Sequence, residues 1–512
     1  MYKLKIDEYT LRRRNVTAQP TEYMKKVMGE YKDTAAVKKA ITAAKKEEDI
    51  FQSEFANEKK DSTAAGKEVT GTIAKYDVLK TIKKFRYKPP KFSVDYGSAG
   101  FASGVLINRY QAYGGGAGPI QLNSGTPLSG LIRLGTTELM EDVKITGGFK
   151  ISTNLKDNEW LMSYQNYKRR FDWGATYYRN VVSVAYGIFD STGQVQPYPG
   201  KIFTNLYQVN VSYPFDRSKS IRLTTGIRSD KQVLSANKNF PPTVGAADQK
   251  TLYSTTKLEY IYDNSMNPAM NIWNGLRYKI YFDYNRQINK VQFADGPSTF
   301  NVGFDARYYY PIHRNFIWAG RAAGDFSWGN QKLIYYLGGV DGWLMFGQNN
   351  RNGKERYFNS ANQPAADQNY AFESLAVNMR GFIQNVANGN NAVVINSEFR
   401  LPVVSTFFNR TLNNSFLNNF QIVQFIDLGT AWNGAYSGIK RPVSRYNLLP
   451  NGQQGPLTVT VKAGGIGPFA GGYGFGARST LLGYFIKYDV AWPMNVFFKG
   501  KPVMYFALGF DF

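Results

Sequence analysis

The chain of 512 residues contains no cysteine and a single histidine. The lack of cysteine excludes a disulfide framework and a thiolate metal site. The histidine, His313, lies in the turn-like sequence Pro-Ile-His-Arg-Asn, where a solvated or structural role is usual. One such residue nearly excludes a Ser-His-Asp hydrolase and a histidine-based metal site. We therefore expect no thiolate or histidine-based metal site.

Long apolar runs are also missing. The mean hydropathy is −0.38, and no run reaches the ~18 apolar residues of a membrane-spanning helix. A helical membrane protein is therefore excluded, whereas a β-barrel is not, because its strands alternate apolar and polar residues. The segment Met1–Thr10 lacks the apolar stretch of a signal peptide. A β-barrel of an outer membrane would need such a signal, so either the chain is a fragment of a longer precursor or the barrel interpretation is wrong; we favour the fragment.

Acidic residues are few relative to basic ones. The chain has 62 Lys and Arg against 38 Asp and Glu, a net charge of +24. A basic balance often indicates nucleic-acid binding, but here the basic residues are spread along strand-like segments and loops. This distribution favours anionic lipid head groups or acidic protein partners over nucleic acid.

From residue 91 onward the sequence alternates with a period of two, and aromatic residues make up 15% of the chain. One face of the segment 276–284 carries Leu276, Tyr278, Ile280, Phe282 and Tyr284, and the other carries Arg277, Lys279, Tyr281 and Asp283. A soluble sandwich would pack the apolar face on a second sheet. Three features favour a membrane barrel instead: segments of ~10 residues or more, aromatic residues near their ends, and many charges on the polar face.

About sixteen such strands are predicted, an even number typical of bacterial barrels. They lie near residues 92–109, 111–122, 139–154, 158–169, 171–183, 201–215, 219–234, 249–264, 273–288, 298–312, 315–329, 391–404, 419–432, 470–481, 482–493 and 503–512. The predicted fold is an all-β, transmembrane, antiparallel barrel over residues 91–512. Its longest connection, about 331–390, is the kind of loop that is usually functional or disordered.

Residues 1–90 differ in composition from the rest. The stretch Thr21–Phe55 has helical periodicity, and Glu58–Thr72 is polar and linker-like. We predict a mainly helical or irregular periplasmic extension, which is either a solvated segment or a docking segment for a partner.

Four sequence features follow one another in the last third of the chain. The first is Met-Arg-Gly-Phe at Met379–Phe382, at the end of the long connection. Glu398 comes next in Ser-Glu-Phe-Arg-Leu-Pro, followed by Phe-Ile-Asp-Leu-Gly at Phe425–Gly429. The last is the alternating segment Val503–Phe512.

This ordered set resembles the barrel domain of the bacterial surface-antigen superfamily, which includes outer-membrane protein assembly factors and two-partner secretion translocators. The resemblance implies that Arg380, Gly381 and Phe382 form an inward-folded sixth-loop motif. It also implies that Asp427, Glu398 and Gly429 are the partners of that loop in the lumen. A guanidinium can bind a carboxylate through two parallel hydrogen bonds, so the role of such a pair would be organisational.

The last predicted strand places Phe506, Phe510 and Phe512 on one apolar face. By the same resemblance it is the closing strand of the barrel, and its final aromatic residue is a signal for barrel assembly. Closure requires pairing with the first strand, because an open edge in lipid leaves backbone groups unsatisfied.

The resemblance implies a bacterial outer-membrane barrel that inserts or translocates polypeptides, without catalysis and without a cofactor. The expected partners are outer-membrane lipid, including anionic head groups, and periplasmic or outer-membrane proteins. An alternative is a barrel anchor or accessory subunit with a structural role, for example in a propeller-fused member of the superfamily, since the start of the chain resembles a propeller hairpin. A lipid-acting enzyme and a soluble, basic, nucleic-acid-binding sandwich are less favoured alternatives.

Overall fold

The computed structural model describes residues 95–102, 106, 109–115, 119, 129–152, 155–189, 195–235, 247–289, 296–351, 354–408, 412–447, 458–495 and 500–512. The chain divides into two units, Met1–Tyr87 and Lys88–Phe512. The predicted N-terminal extension, residues 1–90 with its helices, lies outside the described residues.

One antiparallel sheet dominates the described part of the chain. It contains eighteen strands, of which two, β10 (Met266–Ala269) and β23 (Gly465–Ile466), are short pieces at turns. The other sixteen form a continuous wall in which each strand pairs with the next along the chain. They are β1 (Tyr96–Ala102), β3 (Ser129–Thr137), β4 (Val143–Ser152), β5 (Asn158–Asn166), β6 (Asp172–Phe189), β7 (Val195–Pro214), β8 (Lys219–Leu234), β9 (Gln249–Asp263), β11 (Ile272–Gln287), β12 (Ser298–His313), β13 (Phe316–Gly329), β19 (Asn391–Pro402), β20 (Gln421–Trp432), β24 (Phe469–Leu481), β25 (Tyr484–Pro493) and β26 (Val503–Leu508).

The remaining elements are short. They are β2 (Gln111–Ala112), β14 (Lys332–Leu337), β15 (Asn350–Arg351), β16 (Lys354–Glu355), β17 (Tyr370–Leu375), β18 (Ala387–Gly389), β21 (Val443–Asn447), β22 (Thr458–Lys462), helices α1 (Val403–Phe407) and α2 (Ser415–Asn418), and a 3-10 turn at Tyr436–Gly438. In the described part of the chain, no helix is long and apolar enough to cross a membrane.

The wall is inside out relative to a soluble protein. Its outward positions expose large apolar side chains, among them Tyr207, Ile227, Ile280 and Phe506, while buried inward positions include Asp283 and many other charged or polar residues. This arrangement follows from the two-residue alternation, since successive side chains of a strand point to opposite faces. An apolar outer face around a polar interior is the arrangement of a transmembrane barrel, and the predicted all-β fold with about sixteen strands is confirmed.

A second sheet lies inside the barrel and is called here the inner sheet. It has the order β18-β14-β17-β2, and β14 and β17 run parallel. Three of its strands come from the long connection between β13 and β19, whereas β2 comes from the connection between β1 and β3. The prediction of a wall strand at 111–122 was therefore wrong: Gln111–Ala112 pairs with β17, and a two-residue strand is too short to cross a bilayer.

The two ends of the wall meet without a backbone ladder between β1 and β26 in the described residues. The amide of Phe101 instead donates to the hydroxyl of Tyr484, at 2.9 Å. The free edge of β26 is partly covered by the long connection, whose Leu344 amide donates to the carbonyl of Phe506 at 2.8 Å. The predicted closure by pairing of the first and last strands was wrong, because side-chain and loop contacts take its place.

The last strand is also shorter than predicted. It ends at Leu508, and Gly509 has φ +106°, a left-handed conformation that favours glycine. Beyond this turn Phe510 stays exposed, with its ring 4.9 Å from that of Phe485. Phe512 instead packs inside with Ile272, Tyr309 and Ile317. The prediction that Phe512 shares the outward face of Phe506 and Phe510 was wrong.

Candidate functional site

Arg380 lies in the lumen against the inner surface of the wall. Its Nε donates to Oδ2 of Asp427 at 2.7 Å, its Nη2 donates to Oδ1 at 2.8 Å, and its backbone amide donates to Oδ2 at 2.9 Å. Nη2 also lies 2.6 Å from Oε1 of Glu398. All three side chains are buried. Burial alone would lower the pKa of Arg380, but the two carboxylates raise it well above its ordinary value.

The three fixed positions of the Phe-x-Asp-x-Gly sequence share the inward face of β20. The ring of Phe425 lies under the guanidinium, with its centroid 3.6 Å from Cζ of Arg380. Asp427 supplies the carboxylate, and Gly429 leaves room for Met379, whose Sδ would lie 2.9 Å from an added Cβ. Because the three residues are two positions apart, they lie side by side on one face of the strand. Phe425 makes the cation–π contact, Asp427 makes the ion pair, and Gly429 leaves space for the loop.

The backbone of the Arg380 loop approaches the wall strand β24 closely at positions occupied by glycine. Gly381 has φ +94°, and an added Cβ there would lie 2.9 Å from Cα of Gly472 and 2.9 Å from the carbonyl oxygen of Trp492. An added Cβ on Gly472 would overlap the carbonyl oxygen of Arg380. The glycine-rich sequence of β24 thus serves close backbone approach.

The rest of the motif is tied to the last strand. The carbonyl of Phe382 accepts hydrogen bonds from the hydroxyl of Tyr505 at 2.6 Å and from the amide of Gly339 at 3.1 Å. Tyr505 belongs to β26, so the loop contacts both β20 and the end of the wall. The motif lies in the sixth connection on the side of the barrel that carries the long loops.

A chain of buried charges leads from this loop to the end of the described chain. Glu398, which contacts Arg380, also accepts from Nε of Arg400 at 2.8 Å. Arg400 donates to the carbonyl oxygen of Phe512 at 3.1 Å, and its Cζ lies 4.8 Å from the centre of the Phe512 ring. Asp511 accepts from Nε of Arg478 at 2.8 Å. Burial of so many charges requires pairing of this kind.

Sequence reasoning named Arg380, Asp427 and Glu398, and the structure brings these three together. It did not identify Arg400 or Arg478. A signal was available for Arg400, because Glu398 and Arg400 are two residues apart and therefore share a face of one strand.

The fold and the buried contacts of Arg380 define a class of protein, an outer-membrane type of β-barrel with a long loop fixed in its lumen by a buried arginine.

No protein-family model matches the chain, and no curated protein matches it by sequence. Solved structures with a similar fold include BamA from Haemophilus ducreyi lacking POTRA domains 1–3, with a TM-score of 0.43 and 14% identity over 80% of this chain and 69% of that one. CdiB from Acinetobacter baumannii has a TM-score of 0.40 and 11% identity, with coverage of 81% and 65%. CdiB from Escherichia coli has a TM-score of 0.42 and 10% identity, with coverage of 77% and 60%. These likenesses concern the fold alone.

Proposed function

We propose that this chain is a barrel of the bacterial outer membrane that inserts or translocates polypeptides, with the Arg380 loop held in its lumen as an organising element. The buried contact of Arg380 with both Asp427 and Glu398 is the observation that carries the proposal. A bilayer-spanning wall needs no such loop for its own backbone hydrogen bonds, since neighbouring strands satisfy those. A fixed loop therefore points to a task inside the lumen.

The proposed partners are lipid and protein. The exposed apolar side chains of the wall support contact with acyl chains. The exposed basic turn at 168–170, Lys-Arg-Arg, supports contact with anionic head groups. Polypeptide clients and periplasmic or outer-membrane protein partners follow from the resemblance and are part of the proposal.

The filled lumen favours a second candidate, in which the barrel is a structural anchor or accessory subunit of a complex. The inner sheet and two buried apolar clusters occupy the space beside β19, β20 and the last three wall strands. A protein that only anchors a complex has no need to clear this space.

The test is insertion by the purified chain in liposomes. A urea-unfolded, labelled barrel protein would be added, and its membrane integration followed by protection from protease. We expect faster integration than in empty liposomes, and slower integration with Arg380→Ala. Lys231→Ala is the matched control, because Lys231 forms an exposed ion pair with Asp248. Integration at the rate of empty liposomes would contradict the proposal and favour the anchor.

A further inference from the structure

The shortest strand of the inner sheet is β2, which comes from outside the long connection. Gln111 and Ala112 lie opposite Glu373 and Phe372 on the edge of β17. One further backbone hydrogen bond, from the amide of Tyr113 to the carbonyl of Ala371, extends the pairing. Residues 109–113 are called the strap. Its ladder covers two of the six residues of β17.

The strap is held mainly by side chains at its ends. The hydroxyl of Tyr110 donates to Asp283 on the wall at 2.8 Å, and the carbonyl of Tyr110 accepts from Arg228 at 2.8 Å. The ring of Tyr113 lies 5.3 Å from that of Tyr370. The strap thus presents a polar side to the wall and an aromatic side to the sheet.

A cavity lies next to the strap. It has a volume of about 380 Å³ and is bounded by Arg109 and Tyr110 of the strap, by Phe372 and Ser374 of β17, and by charged wall residues such as Lys257. The opposite edge of the inner sheet is closed, because an added Cβ on Gly389 of β18 would overlap the backbone of Trp432.

We propose that the edge of β17 is a binding site for an extended polypeptide segment, and that the strap occupies this site in the resting protein. An edge strand offers unpaired amide and carbonyl groups to an added strand, which supplies affinity, while alternate side chains supply specificity. The segment that fits places one aromatic residue beside Tyr370, as Tyr113 does, and alternates polar and apolar residues along its length. Strands of membrane barrels have this alternation.

This inference rests on the proposed polypeptide-handling function and adds a place where the polypeptide pairs. The strap and the incoming segment compete for one edge. Weakening the strap therefore raises the affinity for the segment, because the binding-competent fraction of the protein rises.

The test uses a disulfide lock, which is clean because the chain has no cysteine. Gln111→Cys with Glu373→Cys joins two directly opposed residues, whose Cα separation in an antiparallel pair suits a disulfide. Thr146→Cys with Ser163→Cys is the matched control, an opposed pair on the wall strands β4 and β5 that does not line the cavity. Heat-modifiable gel migration checks that each variant is folded.

The probe is a fluorescent synthetic peptide with the sequence of residues 109–115, with a scrambled peptide as its control. Its binding to the full chain in detergent micelles is measured by anisotropy. We expect the oxidised lock to bind at least about tenfold more weakly than the reduced protein, and the wall disulfide to bind equally in both states. Tyr110→Phe removes a hydrogen bond to a charged group and should strengthen binding roughly tenfold to hundredfold.

Equal binding by the oxidised and reduced lock, or failure of the disulfide to form under oxidation, would overturn the inference. The liposome assay separates this failure from failure of the proposed function. If insertion proceeds at the same rate with the oxidised and the reduced lock, the β17 binding site is contradicted, whereas the proposed insertion function is not. If the oxidised lock weakens peptide binding but the chain inserts no barrel protein, the β17 binding site is supported and the proposed insertion function is contradicted.

Discussion

Two of the contacts that hold the contents of the lumen against the wall differ in their hydrogen bonding. On one side, Arg380 makes three hydrogen bonds to Asp427 and an ion pair with Glu398, all buried. On the other, the strap forms a ladder of two residues with β17, and its Tyr110 hydroxyl donates to Asp283. This difference supports the inference that the Arg380 loop is fixed in the lumen and that the strap can be replaced.

The contacts of Arg380 and those of the strap also differ in how far water can reach them. The Arg380 centre is sealed by Phe425 below the guanidinium and by the glycine contact of Gly381 with β24. The strap borders a cavity, and its Arg109 forms an exposed ion pair with Asp341 at 3.3 Å. Exposed ion pairs contribute about 0–1 kcal/mol, so the ion pair of Arg109 adds little to the hydrogen bonds of Tyr110 with Asp283 and Arg228.

The largest effect is expected at the fixed attachment. Arg380→Ala leaves the carboxylates of Asp427 and Glu398 buried without their cation, and we expect a loss of about 3–5 kcal/mol in the free energy of unfolding. Asp427→Ala should cost less, because Glu398 still pairs with Arg380. Urea unfolding in detergent, followed by heat-modifiable migration, measures both.

A double-mutant cycle sharpens this prediction. The combined Arg380→Ala and Asp427→Ala variant should lose much less than the sum of the single losses, and Arg380→Lys should restore only part, because lysine cannot make the two-pronged contact. The control pair Lys231 and Asp248 is exposed and should change stability by about 0–1 kcal/mol. Strictly additive losses at Arg380 and Asp427 would contradict the shared contact.

The next largest effect is expected at Phe512. Its ring lies in a cluster with Ile272, Tyr309 and Ile317 and beside Arg400. Phe512→Ala should cost about 3 kcal/mol, the lower part of the range for a buried phenylalanine, and should lower the amount of barrel in the outer membrane. Phe510→Ala is the control, because Phe510 is 57% exposed; equal losses from the two variants would refute the inward position.

A smaller effect is expected where the loop backbone meets β24. Gly472→Ala places a methyl group on the carbonyl oxygen of Arg380, and overpacking of this kind typically costs about 1–3 kcal/mol. Gly147→Ala is the matched control in another wall strand, where an added Cβ would lie 4.0 Å from its nearest neighbours. The measurement is thermal unfolding in detergent, and similar melting temperatures for the two variants would exclude the close contact as a source of stability.

The fixed attachment could be predicted from the sequence, because the family resemblance of its motifs implied the pairing of Arg380 with Asp427, whereas the replaceable one could not. Asp427 and its neighbours lie on a regular strand, so alternation assigns each residue to a face. Gln111 and Ala112 are too few to establish a period, and their place depends on pairing with β17, more than 250 residues away in the chain. The turn of Phe512 depends on one glycine, Gly509, at which the chain adopts positive φ while the alternation of residue types continues beyond it.

The smallest effect is expected from the pH dependence of the strap. Glu373 lies opposite Gln111, and its Oε2 has no hydrogen-bond partner among the described residues. Burial raises the pKa of Glu373 to about 7, from an ordinary value of 4.5, although a hydrogen bond from the backbone of Gly114 opposes the rise. Tyr113 and Tyr336, which face it, are neutral in this range and supply no compensating charge.

A carboxyl group with a raised pKa stabilises the docked strap most below pH 4.5, where it is protonated whether the strap is docked or free. Above that value the free state loses its proton first, so docking weakens as the pH rises toward about 7. The yield of the disulfide in Ala112→Cys with Phe372→Cys, an opposed pair that keeps Glu373, should therefore fall between these values, after correction for thiolate content with the wall pair Thr146→Cys and Ser163→Cys. Adding Glu373→Gln should remove the dependence, because the amide does not titrate. A fall of equal size with Glu373→Gln would mean that another group controls the strap.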